Sequence, residues 1–357
     1  MILPSTYSAA LLLTILSMIC WGSWANTFKL SGKWRFELFY FDFAAGVLIA
    51  AVIAAFTFGS LGGELSFTDN LLIAGKTQMA WGFGAGVIFN LANMLLVAAI
   101  SIAGMAVAFP VGIGLALVVG VVWNYFLNPQ GNPTLLGAGV ALVVGAIILD
   151  ALAYALHARS KRLAETPETQ SMTSPSRAKT QRNKRPARKT SIKGILLSLI
   201  SGILMGSFYP MVEMGKASEI GLGPYAIAFI FAVGVFLSTF VFNVYFMNLP
   251  VEGEAVAFSE YVRGAFRQHA LGICGGLIWC TGAISNFVAA SAPKGILGPA
   301  VSYAIGQGAT MISALWGLLV WREFAGAVSR VRMLLVSMFI LFLAGLVLVS
   351  VAPLYER

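Results

Sequence analysis

Ten predominantly apolar runs follow one another along the chain, at 6–28, 38–59, 77–101, 103–126, 134–157, 194–215, 223–247, 269–291, 296–321 and 330–352. A helix needs about 20 such residues to cross a hydrocarbon core of about 30 Å, and every run is that long. In lipid the backbone polar groups must be satisfied within the segment or around a closed barrel. Barrel strands would alternate every second residue over short segments, and these runs do not. The expected fold class is therefore an all-α polytopic membrane protein with ten transmembrane helices. The narrowest separation is at Ile102–Ala103–Gly104, between the third and fourth runs. Only 10% of the 357 residues are charged, against about 25% in soluble domains, which excludes a soluble globular chain. The first eight residues carry no Lys or Arg, and the run after them is too long for a cleaved signal, so it reads as a retained span. Cys20, Cys274 and Cys280 all lie in apolar runs and suggest no disulfide framework.

Charge is concentrated in one place. Residues 158–193 hold eleven Lys or Arg and two Glu, which equals the net +9 of the whole chain. This tract, with SMTSPSRAKTQRNKRPARKTS at its heart, is too poor in apolar residues to fold alone and reads as a disordered linker. Beside membrane spans it marks the cytoplasmic side, where anionic lipid is a candidate partner, and it does not read as a nucleic-acid site. Loops after the odd-numbered spans carry 19 Lys or Arg, whereas the termini and the other loops carry four. The positive-inside rule then places the linker in the cytoplasm and both termini outside, in a cytoplasmic (inner) membrane.

The linker separates two halves of five spans, 1–157 and 194–357. Ser17-Met-Ile-Cys-Trp-Gly-Ser-Trp24 aligns with Ser201-Gly-Ile-Leu-Met-Gly-Ser-Phe208 at an offset of 184, and Gly82–Ser101 aligns with Gly272–Ser291 at an offset of 190. Both matches join corresponding spans of the two halves, which supports duplication. With an odd number of spans per half the copies insert in opposite senses. Secondary transporters are built this way, with the site at mid-membrane between the repeats.

Several stretches resemble a known family. GVIFNLANMLLVAA (86–99), VVWNYFLNP (121–129), SALWGLLVWREF (313–324) and FYFDF (39–43) are similar to the ureide permease family, within the drug/metabolite transporter superfamily. The glucose/ribose porter family is the second resemblance. The first implies proton-coupled uptake of small, neutral, amide-rich heterocycles such as allantoin or uracil, with the long central loop in the cytoplasm. Plant members carry a phosphate-loop-like motif in that loop; no GxxxxGK[ST] occurs in this chain, so nucleotide control through it is not supported. No cofactor is implied.

Polar residues inside the spans are the site candidates. Asn90 and Asn93 fall near mid-membrane in the third span and Gln307 in the ninth, with Asn286 in the eighth. Asn93 and Gln307 also match the ureide permease pattern. Amides donate and accept, so they suit a neutral ligand with alternating N–H and C=O groups. They serve equally as bonds between helices. Ser23 and Trp24 in the first span, Ser207 and Tyr209 in the sixth and Tyr303 in the ninth complete the expected substrate-binding set. Aromatic faces such as these, with Trp21, Phe208 and Trp279, would grip a planar heterocycle or a sugar ring, or else pack the bundle. Pro110, Pro210 and Pro299 are expected to break their helices. A charge at the centre of a span costs at least about 2.5–3.5 kcal/mol and needs a reason. Asp42, about one turn into the second span, and Glu213, near the outer end of the sixth, are candidate proton carriers or interfacial ion-pair members. Asp150 lies about two turns from the cytoplasmic end of the fifth.

The function expected is secondary active transport of a small neutral polar solute of ureide or nucleobase type. Sugar/proton symport and export of drugs or metabolites are the alternatives within transport. A membrane enzyme would need clustered His, Cys or carboxylates, but the two histidines, His157 and His269, lie at span ends. A receptor or scaffold would need an output domain that the linker is too poor to form.

Overall fold

The computed structural model describes residues 1–62, 65–103, 105–164, 192–250 and 254–355, and every regular element among them is helical. In chain order these are α1 (Tyr7–Ser23), α2 (Ala25–Leu30), α3 (Phe36–Phe56), α4 (Phe67–Ile73), α5 (Lys76–Ala103), α6 (Met105–Leu127) and α7 (Pro133–Ala164). The second half supplies α8 (Ile192–Lys216), α9 (Pro224–Asn248), α10 (Phe258–Val262), α11 (Phe266–Ala290), α12 (Pro299–Gly306), α13 (Ala309–Leu315) and α14 (Ser329–Val351). A π-helical turn, Trp316–Val320, follows α13.

Among the described residues nine helical stretches are long and apolar enough to cross a membrane. They match nine of the ten expected runs to within a few residues. The remaining run, 103–126, is helical as α6, 23 residues long. α5 ends at Ala103 and α6 begins at Met105; Gly104, in the narrow separation, lies outside the described residues.

Two expectations need correction. Residues 158–164 and 192–193, assigned to the linker, are helical as the end of α7 and the start of α8; the rest of the linker, 165–191, lies outside the described residues. Pro299 does not break the ninth span but begins it. Residues 291–298 form turns, and Pro299 occupies the start of α12, where the missing N–H costs nothing and the fixed φ suits the helix. Pro224 starts α9 in the same way. Pro210 does lie inside α8, and Pro110 lies within α6.

Packing follows a reciprocal scheme. α1 packs along α11 and α13, and α8 packs along α5 and α6; α3 packs along α11, and α9 along α5. α3 also meets α9, and α7 meets α14. Small residues set the distances. A Cβ on Gly276 would lie 2.0 Å from the Phe43 carbonyl oxygen, and one on Gly46 would lie 2.2 Å from that of Ile273. On the other side, Gly86 and Gly234 approach the carbonyl oxygens of Phe231 and Phe83 at 2.1 and 2.3 Å by the same measure. Backbones this close gain dispersion contacts along their length, the main source of attraction between helices in lipid.

One end of the bundle is tied by polar contacts. Trp316 Nε1 donates to Ser23 Oγ at 2.9 Å and Trp321 Nε1 to Asn26 Oδ1 at 2.7 Å. Lys29 pairs with Glu323 and lies over the Trp321 ring, while Tyr154 donates to Glu323 at 2.7 Å. Burial alone would raise the Glu323 carboxyl, but the bonds from Lys29 and Tyr154 and the Lys29 charge hold it below the ordinary carboxylate range.

Gly86→Ala and Gly276→Ala should each lower stability by about 1–3 kcal/mol, because the new methyl meets backbone that cannot yield. Gly114→Ala, which has open space around it, should leave the melting temperature in detergent unchanged or higher; equal losses at all three positions would refute this packing. For Glu323 the folded pKa lies below the unfolded one, so its stabilisation is present above the unfolded value and is lost as pH falls through the folded one. Glu323→Gln should therefore melt earlier than the wild type at neutral pH, with the gap closing on acidification.

Candidate functional site

Two helices are interrupted along their length, and both interruptions border the same cavity. Trp24 separates α1 from α2, and Gln307 and Gly308 separate α12 from α13. The carbonyls disturbed at the breaks find side-chain donors. Asn26 Nδ2 donates to Ser23 O at 2.8 Å, Thr27 Oγ1 to Trp24 O at 2.7 Å and Thr310 Oγ1 to Gln307 O at 3.1 Å. Irregular backbone at membrane depth is tolerated where protein or a cavity satisfies it.

The cavity, of about 180 Å³, lies between these breaks and the facing helices. α1, α2 and the break contribute Trp21, Gly22, Trp24 and Ala25; α5 contributes Phe89, Asn93 and Leu96; α6 contributes Ile113 and α8 Met205 and Phe208. Trp279 of α11, Gln307, and Ala309, Thr310 and Ser313 of α13 close it. Phe89 on α5, Gln307 and Ala309 on the ninth span, Met205 on α8 and Trp279 on α11 all lie close to the middle of their helices, so the cavity lies near mid-bundle.

Aromatic rings form its wall. Trp21 stacks on Trp279 with centroids 6.0 Å apart, and Trp279 meets Phe89 at 4.4 Å. Phe43 supports Trp24 from behind at 4.8 Å. Trp21 is seated between glycines: a Cβ on Gly282 would lie 2.9 Å from its Cδ1, and one on Gly306 would lie 2.7 Å from its Cζ3. Its Nε1 is buried with no hydrogen-bond partner, so the wall holds an unused donor. Asn93 Nδ2 donates to the hydroxyl of the buried Tyr40 at 3.1 Å, which fixes the amide's orientation. Aromatic faces, amides at Asn93 and Gln307 and hydroxyls at Thr310 and Ser313 can hold a small ring by its faces and its polar edges.

Of the expected binding residues, the structure brings Trp24, Asn93 and Gln307 into this cavity. The others lie elsewhere. Asn90 Nδ2 bonds to α9, at Val235 O (3.2 Å), Ser238 Oγ (2.7 Å) and Thr239 Oγ1 (3.1 Å). Three residues turn a helix by about 300°, so Asn90 and Asn93 diverge by about 60°, enough to send one to α9 and the other to the cavity. Ser23 accepts from Trp316, and Ser207 donates to Ile203 O at 2.6 Å. Tyr209 OH donates to Asn286 Oδ1 at 2.6 Å; Asn286 Nδ2 donates to Ser17 Oγ (3.1 Å) and Ser302 O (3.0 Å). Tyr303 OH donates to Ala116 O at 3.2 Å. Phe89, Thr310 and Ser313 were not singled out in the sequence; Phe89 is one turn from Asn93 and Thr310 one turn from Gln307, and helical neighbours of a site residue were the available signal.

Neither candidate proton carrier lines the cavity. Asp42 accepts from Tyr261 OH at 2.7 Å and pairs with His269 Nδ1 at 2.8 Å, joining α3 to α10 and α11. The Tyr261 hydroxyl is raised above its ordinary value by burial and then by the Asp42 carboxylate, so it stays a neutral donor. Glu213 pairs with Lys216 one turn along α8 at 2.8 Å. Asp42 is nevertheless connected to the site, because Tyr40 and Phe43 on α3 support Asn93 and Trp24.

A solved crystal structure with 15% sequence identity superposes on this chain with a TM-score of 0.57, covering 96% of both chains, so the two share a fold. Ureide permease 4 of Arabidopsis thaliana is 24% identical, covering 93% of this chain and 94% of its own, and ureide permease 2 of the same plant is 23% identical, covering 94% of each. Transmembrane protein 144 homolog B of Dictyostelium discoideum is 30% identical over 47% of this chain and 43% of its own. The ureide permease profile matches residues 39–194 and 178–352, which together take in Asn93, Trp279 and Gln307, and the chain therefore belongs to the ureide permease family.

Proposed function

We propose that this chain is a secondary transporter of a small neutral polar solute of ureide or nucleobase type, moved by proton-coupled uptake and alternating access. The observation that carries this reading is the cavity itself, where indole and phenyl faces meet the amides of Asn93 and Gln307. Such a lining suits a planar ring edged with N–H and C=O groups. Its volume of about 180 Å³ is below the roughly 300–1,000 Å³ of drug-sized sites, which favours one small ring over a bulky lipophilic cargo. The Arabidopsis relatives named as ureide permeases support the same solute class. A sugar ring is the second reading, favoured by the Trp21–Trp279 stack.

Two inverted repeats, 1–157 and 194–357, are the proposed framework. Exchanging each span of the first half with its counterpart turns the α1–α11 contact into α8–α5 and the α3–α11 contact into α9–α5. The glycine pair Gly46–Gly276 becomes Gly234–Gly86, in agreement with offsets of 188 and 190. The rings follow: Trp24, Phe43 and Trp279 on one side correspond to Phe208, Phe231 and Phe89 on the other. Charge places the basic linker in the cytoplasm and both termini outside. Asp42, bonded to His269 and on the same helix as Tyr40, is the favoured proton carrier; Glu213, paired with Lys216, is the second candidate.

Uptake into proteoliposomes, with and without an inward proton gradient, tests the reading on allantoin, uracil, xanthine, glucose, ribose and rhamnose. Gradient-stimulated uptake of allantoin, uracil or xanthine is expected; stimulation confined to the sugars would select the second reading, and none for any solute would sink symport. Asn93→Ala and Gln307→Ala should raise KM about tenfold each, the loss of roughly one hydrogen bond to the solute. Asn90→Ala should lower thermal stability and leave KM unchanged. Asp42→Asn should abolish the gradient's effect while solute exchange without a gradient persists.

A further inference from the structure

Beyond the central cavity, a second pocket of about 750 Å³ opens at one end of the bundle, the end that carries Met1 and Lys294. Three helices connect the two pockets in the same order. On α8, Met205 and Phe208 line the cavity, Tyr209 follows, and Glu213 and Met214 line the second pocket. On α11 the sequence is Trp279, then Asn286, then Ala290 and Ser291; along α6 it is Ile113, then Gly120, then Leu127 and Asn128. The ninth span runs the other way, with Gln307 in the cavity and Ser302 and Tyr303 beyond it.

The layer between the pockets is closed and polar. Tyr209, Asn286, Ser302 and Tyr303 are fully buried. Asn286 is its hub, accepting from Tyr209 and from Ser302 Oγ (2.9 Å) and donating to Ser17 and Ser302 O. The Tyr303 ring lies against Gly120, where a Cβ would come within 2.2 Å of its Cε1, and meets the Tyr209 ring at 5.0 Å. These contacts join α8 and α6, which pack on each other, to α11 and α12, which pack on α1. They cross between the two groups of helices that wall the cavity.

We propose that the second pocket is the outer vestibule of the transport path, a site for the same neutral polar solute, and that Tyr209, Asn286, Ser302 and Tyr303 form the gate separating it from the central cavity. The proposal rests on the transport reading above and adds a second site to it. The vestibule suits an uncharged solute with donors and acceptors. Of its ionic groups, Glu213 and Lys216 neutralise each other with side chains 10% exposed, and Glu219 and Lys294 add one charge of each sign beside the amino group of Met1. Asn70 and Asn128 add amides. Passage inward requires the Tyr209–Asn286 bond to break and Tyr303 to leave Gly120.

Cysteine accessibility tests this without any solute. In full-length protein lacking Cys20, Cys274 and Cys280, single cysteines are introduced as Met214→Cys in the vestibule and Thr310→Cys in the cavity. A membrane-impermeant methanethiosulfonate is added to the face that bears the N-terminus. Rapid labelling at 214 and slow labelling at 310 are expected, and Tyr209→Phe or Asn286→Ala should speed labelling at 310 about tenfold, the effect of losing a buried hydrogen bond. An unlabelled 214, or a rate at 310 that stays the same while the melting temperature falls, would overturn the gate and leave only a structural clasp. Tyr209→Phe removes a single oxygen, so the result does not depend on a variant that fails to fold. Because labelling needs no cargo, failure of the gate and failure of the transport reading are separable outcomes.

Discussion

Backbone hydrogen bonding in lipid is the constraint on which the rest of this structure depends. A carbonyl released from a helix in the hydrocarbon region has no water to turn to, so a break survives only where the protein supplies a donor. Here both cavity-facing breaks are supplied locally, by Asn26 and Thr27 near Trp24 and by Thr310 near Gln307. The donors lie within three residues of the carbonyls they serve. The Trp24 and Gln307 carbonyls also keep backbone bonds from Thr27 and Thr310, so each is served from within its own helix.

Close glycine contacts set helix against helix. Gly46 with Gly276 and Gly86 with Gly234 bring backbones into direct contact. The first pair ties Asp42 and Tyr40 on α3 to His269 and Trp279 on α11. The Asp42–His269 contact thus lies on a helix pair that also carries Tyr40 and Phe43, which support Asn93 and Trp24.

Much of this was legible in the sequence, and the reasons it stopped where it did are specific. Span length is a strong signal because the bilayer has one thickness, and nine runs match their helices closely. Start points were less legible: Pro299 has the same composition cue whether it breaks a helix or begins one, and only the turn at 291–298 decides. Depth in the membrane can be counted along a helix, which correctly put Asn93 and Gln307 beside the cavity. Azimuth cannot be counted as well, because it depends on which neighbour each face meets. Asn90 has the same chemistry and depth as Asn93 yet faces hydroxyls of α9, and Tyr209 and Asn286 satisfy each other.

That pairing explains why buried amides take two roles in one bundle. An amide whose donors and acceptors are all met by protein, as at Asn286, has nothing left for a solute and holds helices together. Asn93 is oriented by one tyrosine and opens on the cavity. The distinction also orders the molecule along its path. Where fully satisfied groups cross between helices the bundle is shut, as at the Tyr209–Asn286 layer. The layer at Tyr209 and Asn286 is closed by protein–protein hydrogen bonds, and the cavity lies on one side of it. Phe89 meets Phe208 and Phe231 as Phe43 meets Trp24 and Trp279, so two aromatic clusters of like build join at the Phe89–Trp279 contact.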